Sequence, residues 1–165
     1  MVLEDTSIPS AGNLRQPFPF RRRCAAAIPI EGPSMTLELI NPESLPTPAS
    51  YTQVIVATGR RLVFVAGQVA DDSQGSLVGP GDLAAQARQA FANVGRCLAA
   101  AGAEPEQVPK ITIYVVQHRP EYLPDISAAR VALFGDHKPA DTLVGVETLA
   151  EPGYLIEVEA IAVVD

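Results

Sequence analysis

Hydrophobic and polar positions change rhythm along this chain, and the changes mark its elements. Tyr51, Gln53, Ile55 and Ala57 alternate with Thr52, Val54 and Val56, the period-two pattern of a strand. Gly59-Arg60 supplies a turn and Leu62-Val63-Phe64-Val65-Ala66 follows, so the two segments read as a hairpin. Asp71-Asp72-Ser73-Gln74-Gly75 is a polar turn cluster. Asp82 then stands as an N-cap before Leu83, Ala87, Ala90, Phe91, Val94 and Leu98, which recur at helical intervals until Gly102. Gln86, Arg88, Gln89, Asn93 and Arg96 fall toward the other faces, so this helix is expected to lie across a sheet with its apolar stripe down. A third strand follows, in which Ile111, Ile113 and Val115 alternate with Thr112, Tyr114 and Val116. A second helix begins near Pro124-Asp125, carries Ile126, Ala129, Leu133 and Phe134, and stops at Gly135. Two strands, Thr142 to Leu149 and Leu155 to Val164, close the chain around Glu151-Pro152-Gly153. The order ββαβαββ predicts an α+β domain: one mixed β-sheet with two helices packed on one face. Because the last strand is apolar on both faces, the far side of the sheet is expected to be covered by other subunits.

Residues 1–35 keep no such rhythm. They mix Pro, Gly, Ser and Arg and offer no face to bury, which predicts a flexible N-terminal arm ahead of a domain at 36–165. The Arg21 to Arg23 triplet followed by CAAAIPI has the layout of an export signal, but the apolar stretch is short and Pro29 interrupts it. Met35 opens the compact part, so the arm also reads as sequence upstream of an internal start. Composition fits a single globular domain of 165 residues, 47% hydrophobic and 19% charged. The apolar run Leu62 to Ala66 is far shorter than the roughly 20 residues a bilayer span requires, so no membrane partner is expected. Cys24 and Cys97 make neither a zinc spacing nor a disulfide framework; no metal is expected, and a reducing, cytoplasmic setting is. The net charge is -7, yet residues 1–35 hold four Arg against three acids, so the body carries -8. Binding to phosphates requires clustered cations, and an acidic body argues against nucleic acid.

Four runs, in order, carry a family likeness: YTQVIVATGRRLVFVAGQVA, QARQAFANVGRCLAAAGA, KITIYVV and LIEVEAIAVV. Together with the INPESLPTP approach they resemble the RidA/YjgF family of reactive enamine/imine deaminases over residues 36 to 165. The resemblance implies a chorismate-mutase-like RidA/YjgF fold, a homotrimer, and small-molecule clefts between neighbouring subunits. It implies no cofactor, since hydrolysing an activated imine asks only for a held water, a proton route and an oriented carbon.

The same likeness nominates a site, and one position departs from it. Active members carry Pro-x-Arg before the penultimate strand, where the guanidinium clamps a substrate carboxylate. Here the segment reads HKPADTLVGV, with Pro139 kept and Asp141 at the arginine's position. At about 4 Å a unit charge pair is worth roughly 4 kcal/mol at an effective dielectric of 20, and an acid reverses its sign. The usual 2-imino-acid carboxylates are therefore expected to bind poorly, and Asp141 is expected to set specificity. Tyr51 matches the family's early tyrosine, Gly67 the glycine of its Ser-Gly-Gln turn, and Glu157 the glutamate that positions the attacking water. Ala66 stands where that turn has Ser, and Ser127 where many members have Asn. The resemblance thus nominates Glu157 and Tyr51 as catalytic and Gly67, Asp141 and Ser127 as substrate-binding.

Each candidate also has a plainer reading. Glu157 and Glu159 share a strand face with Leu155 and Ile161, where an acid can equally pair across a subunit boundary. Tyr51 reads without the family as a sheet aromatic, and Asp141 as a loop residue beginning a strand. Lys138 is a candidate substitute cation, as are Arg60, Arg61, Arg88, Arg96, Arg119 and Arg130, while LVGPGD lacks the lysine of a phosphate loop and is a turn. Two function classes fit: a RidA-like hydrolase of an enamine, imine or related reactive intermediate, and a non-catalytic trimeric binding or regulatory protein on the same scaffold. A ribonuclease role, proposed for some relatives, fits the acidic body least.

Overall fold

A computed structural model describes residues 34–165; Cys24 and nearly all of the arm at 1–35 lie outside the described residues. The described residues form six strands and two long helices, in the order β1 (Thr36–Ile40), β2 (Val54–Thr58), β3 (Arg61–Gln68), α1 (Leu83–Ala100), β4 (Lys110–Val116), α2 (Leu123–Phe134), β5 (Ala140–Val146) and β6 (Ile156–Val164). Short 3-10 turns at Pro105–Gln107 and Pro120–Tyr122 precede β4 and α2.

The helix boundaries follow from local chemistry. Asp82 accepts a hydrogen bond from the Ala85 amide at 3.0 Å and caps α1, while Gly102 leaves the helix at a φ of 70°. Pro124 occupies the first turn of α2, where it has no backbone donor to lose, and Gly135 ends it.

The expected β2–β3 hairpin does not form. β2 pairs antiparallel with β1, from Thr36 opposite Thr58 to Ile40 opposite Val54, in a separate two-stranded sheet. β3 instead pairs antiparallel with β6, Arg61 opposite Val164. The physical reason lies at the turn. A Cβ on Gly59 would stand 2.4 Å from Val163 Cγ1, and the Arg60 amide donates to the Val164 carbonyl at 3.0 Å. The turn is thus pressed against the end of β6 and hands the chain from one sheet to the other. Tyr51, expected to begin the strand, lies three residues before it in the preceding loop.

The main sheet has the order β3-β6-β4-β5, with β4 and β5 parallel and the other pairs antiparallel. Both helices lie on one face, so the α+β expectation of a mixed sheet backed by two helices holds. Ile111, Ile113 and Val115 of β4 and Ile156, Val158, Ala160 and Ala162 of β6 point into the core with Ala87, Phe91, Val94 and Leu98 of α1 and Ile126, Ala129 and Phe134 of α2. Phe91 and Phe134 meet edge to face, centroids 6.3 Å apart, joining the two helices. Such a pair adds about 0.5–1.5 kcal/mol to the area it buries.

The opposite face is open. Leu62 and Phe64 of β3 are 61% and 71% exposed there, beside Ile161 of β6. Leu39, Val54 and Val56 of the two-stranded sheet are also exposed.

Candidate functional site

The nominated residues fall into two groups on opposite faces of the main sheet. The first lies on the helix side, at the β5 edge. Asp141 is opposite Ile111 and Leu143 opposite Ile113 in the parallel β4–β5 ladder, so both point the way those buried isoleucines point, toward α2. From α2, Leu123, Ile126, Ser127 and Arg130 recur at i, i+3, i+4 and i+7 and face them. Ser50 and Tyr51 close the third side. The result is a cleft of about 210 Å³ that holds Tyr51, Ser127, Arg130 and Asp141 against an apolar floor of Ile113, Ile126 and Leu143.

Thr52 fixes Tyr51 in this arrangement. It is 2% exposed; its hydroxyl donates to the Lys138 carbonyl at 2.7 Å and its amide to that of Pro139 at 3.4 Å. Next to it, the Gln53 amide donates to Asn41 Oδ1 at 3.0 Å and the Gln53 side chain to the Pro46 carbonyl at 2.6 Å. The Tyr51 loop is therefore tied to the segment that leads into Asp141. Lys138 takes part through its backbone, and its side chain does not line the cleft. His137 also serves the structure, its ring reaching the Val108 carbonyl at 2.7 Å and lying 6.2 Å from the Phe134 ring.

Charge in the cleft is unevenly compensated. Burial pushes the Asp141 carboxyl above the usual aspartate value, and the charges of Arg130 and Lys110 partly oppose that rise. Arg130 acts on it through space rather than by a hydrogen bond. The guanidinium is itself buried, with 6% of the residue exposed, and its Nη1 has no hydrogen-bond partner. Sequence reasoning had Arg130 only among several available cations, because an arginine in an apolar helix reads as solvent-facing until the helix is rotated onto the sheet.

The second group lies on the open face. Glu157 stands opposite Tyr114, and Glu159 opposite Thr112, in the β4–β6 ladder. The β3–β6 register slips between Val65 and Gln68, so a bulge at Ala66-Gly67 faces this part of β6. Gly67 leaves the room that Glu157 fills: a Cβ there would lie 1.7 Å from Glu157 Oε1 and 2.6 Å from its Cδ. The Tyr114 hydroxyl donates to Glu159 Oε1 at 3.2 Å. Desolvation first, then the Glu159 carboxylate and the charge of Glu157, raise the Tyr114 phenol above its ordinary value. This tyrosine was not singled out from sequence, where it read only as a strand position.

Asp141 and Glu157 are two strand spacings and three residues apart by the ladders, about 14 Å, and face opposite ways. One chain therefore joins Tyr51 with Ser127 and Asp141, and Gly67 with Glu157, but not the two groups with each other. Among the described residues no cluster of three or more His, Cys, Asp or Glu could hold a metal ion, and no helix is long and apolar enough to cross a membrane. A larger cavity, about 680 Å³, lies between α1 and the loop after β3 and touches the site residues only at Gly67. Gln89 and Asn93 bind that loop to the helix through the Asp71 and Val69 carbonyls, and Cys97, a free thiol, lies at its edge.

The mixed four-stranded sheet, its two helices and the polar cleft at the β5 edge define a small α+β domain of the Rid type, and comparison with known proteins gives the same class. The sequence profile of the family described as endoribonuclease L-PSP matches residues 42–164. The chain is 34% identical over 126 residues to a RutC family protein of Pyrococcus horikoshii, covering 76% of this chain and 96% of that one. It is 34% identical over 115 residues to the 2-iminobutanoate/2-iminopropanoate deaminase of Rattus norvegicus, covering 69% and 80%. The crystal structure of the Rid family protein YyfB from Yersinia pestis superimposes with a TM-score of 0.73 at 37% identity, over 78% of this chain and 98% of that one. The chain belongs to the RidA/YjgF family.

Proposed function

We propose that this protein is a deaminase-type hydrolase of an enamine, imine or related reactive small-molecule intermediate, working as a homotrimer whose clefts are completed between neighbouring copies. The observation that carries the reading is the division of the nominated residues into two half-sites, each ordered within the chain and each incomplete. The Gly67–Glu157 half opens on a sheet face whose Leu62 and Phe64 are mostly exposed, the kind of apolar surface that a neighbouring copy would cover. The Tyr51–Ser127–Asp141 half opens at the β5 edge. Two relatives of the deaminase name, from rat and goat, support the reaction class without naming the substrate of this chain.

In this reading Glu157 holds a water against the imine carbon. Water adds to the C=N bond, the nitrogen takes up the protons, and the carbinolamine collapses to a carbonyl compound and ammonia. Tyr51 and Ser127 orient the substrate from the facing wall, and no cofactor takes part. Asp141 removes the arginine clamp on β5, so substrates held only by a carboxylate at that position are disfavoured. The protein works on small molecules and not on nucleic acid or membranes, in the cytoplasm.

The test is imine hydrolysis by the full chain, with 2-imino acids generated in situ by an amino-acid oxidase and competed with semicarbazide. Wild type, Glu157→Gln and Asp141→Arg are compared, with the trimer checked by light scattering. Slow turnover in wild type, a gain in Asp141→Arg and loss in Glu157→Gln are the expected results. Silence in wild type and Asp141→Arg alike, with a trimeric mass, would move the protein to the non-catalytic binding or regulatory class. A mass near that of one chain would overturn the shared cleft.

A further inference from the structure

Glu157 lies between two strands that bound it differently. On the β3 side its carboxylate fills the room that Gly67 leaves, with Oε1 only 1.7 Å from where a Cβ would stand. On the β4 side the residue directly opposite is Tyr114, and side chains so paired have Cβ atoms about 4.5–5.5 Å apart. Tyr114 is half-buried and its ring is tied down: the hydroxyl donates to Glu159 Oε1 at 3.2 Å, across the diagonal of the ladder. Glu159 follows Glu157 by two residues on the same face, about 7 Å along the strand. The diagonal bond therefore lays Tyr114 along β6, and the Glu157 carboxylate is bounded on both strand sides and faces outward from the sheet. Lys110 shares this face, but its Nζ donates to Thr142 Oγ1 at 2.5 Å. The apolar neighbours here, Leu62 and Phe64 of β3 and Val144 of β5, do not titrate. Desolvation, then Glu159 and Glu157, hold the phenol above its ordinary value against an opposing hydrogen bond with Thr112, so Tyr114 is an uncharged donor at neutral pH.

We propose that Tyr114, hooked to Glu159, is a positioning residue that fixes Glu157 in its place against Gly67. The inference rests on the hydrolase reading, in which Glu157 holds the attacking water, and adds to it two residues that act through Glu157 without touching the substrate. The roles divide among the three. Glu157 meets the water, Tyr114 keeps Glu157 from turning toward β4, and Glu159 holds the phenol. For that last task Glu159 needs an oxygen acceptor but not a charge; a second catalytic carboxylate would need the charge itself. The fixing matters because a reacting group misplaced by about 1 Å can lose on the order of a hundredfold in rate.

The experiment has a kinetic and a spectroscopic arm, both on the full chain. In the imine assay Tyr114→Phe and Glu159→Ala are each expected to lower kcat about tenfold, the worth of one hydrogen bond to a charged acceptor, with KM within about twofold of wild type. The double variant is expected to be no slower than either single one, because both remove the same bond. Glu159→Gln keeps an oxygen acceptor and is expected to retain most of the rate. A loss in Glu159→Gln as large as in Glu159→Ala, additive losses, or a wild-type kcat in Tyr114→Phe would overturn the proposal. The second arm follows the phenol by NMR of tyrosine labelled with carbon-13 at Cζ, with Tyr114→Phe identifying its signal among the four tyrosines. That signal is expected to keep its phenol form past pH about 10, where an exposed tyrosine is half ionised, and to ionise earlier in Glu159→Ala. An ordinary titration in wild type, unmoved in Glu159→Ala, would show the hook absent and overturn the proposal without any turnover. The two readings fail separately: no hydrolysis in any version, with the hook present by NMR, removes the hydrolase reading and the positioning role with it, whereas wild-type turnover in Tyr114→Phe removes the positioning role alone.

Discussion

Gln86 gives the sharpest test of how the polar interior holds the site in place. It is fully buried on the core side of α1, yet every polar atom it carries is used. Its Nε2 donates to the Gly79 carbonyl at 3.2 Å and the Gly153 carbonyl at 2.8 Å, and its Oε1 accepts from the Leu155 amide at 2.8 Å. These bonds tie the loop before α1 to the turn that starts β6, two residues ahead of Glu157. In Gln86→Leu all three are lost, but they do not cost equally. Gly79 keeps a partner, since its carbonyl also accepts from the Asp82 amide at 3.0 Å. The Gly153 carbonyl and the Leu155 amide are left without one. The two bonds are part-buried, so each group left without a partner costs about 1.5 kcal/mol, toward the low end of the range for stranded groups, and the added apolar side chain returns about 1, which gives a loss of about 2 kcal/mol. Against a typical stability of about 5–15 kcal/mol this is a large fraction. Gln89→Leu is the control. Gln89 donates to the Asp71 carbonyl at 3.0 Å, but that carbonyl also accepts from Asn93 at 2.9 Å, so nothing is stranded and a loss of about 1 kcal/mol or less is expected. Urea unfolding of both variants with a shared m-value makes the comparison. Equal losses, or a loss below about 1 kcal/mol in Gln86→Leu, would refute the reasoning from stranded groups.

Three further outcomes follow from the geometry. Gly67→Ala must swing the Glu157 carboxylate away, and because a flexible side chain moves more easily than a strand, hydrolysis should collapse while the melting temperature shifts little; an active variant would show that Glu157 does not need its place. Thr52→Val should cost about 1–2 kcal/mol by stranding the Lys138 carbonyl and should speed proteolysis of the loop carrying Tyr51; an unchanged cleavage rate would remove Thr52 as its anchor. For Asp141 the folded chain raises the carboxyl's proton affinity, so the native state binds more protons than the unfolded one above the usual aspartate pKa of 3.8, and stability falls as pH rises through that window. Asp141→Asn should therefore gain on wild type from acid toward neutral pH in urea titrations, and a difference independent of pH would contradict the desolvated carboxylate.

What could be read from sequence divides by the range of the interactions. The ends of α1 were legible because Asp82 and Gly102 act within a turn of themselves, and the alternation of β4 and β6 because burial on one sheet face imposes it. The pairing of β2 was not, since Gly59-Arg60 has the local form of a hairpin turn while its true contact, Val163, lies over a hundred residues away. β1, only five residues long, announced itself too weakly to compete as β2's partner. At the site, the family likeness found Tyr51, Ser127 and Asp141, and the structure places them in one cleft. Arg130 needed the rotation of α2 to be known, and Thr52 needed the approach of the Lys138 carbonyl. Neither leaves a local trace in residue order.

The place of β6 has a consequence for how the protein is made. It follows β3, β4 and β5 in the chain yet lies between β3 and β4 in the sheet. Until it leaves the ribosome, β3 and β4 have no common neighbour, and each presents an unpaired inner edge beside apolar side chains meant for the core. A nascent chain stalled before Ile156 would thus hold two helices and a β4–β5 pair but no joined sheet, with Glu157 not yet synthesised. The order of synthesis makes assembly of the sheet and arrival of the nominated glutamate a single event, and places the interval of greatest aggregation risk just before it.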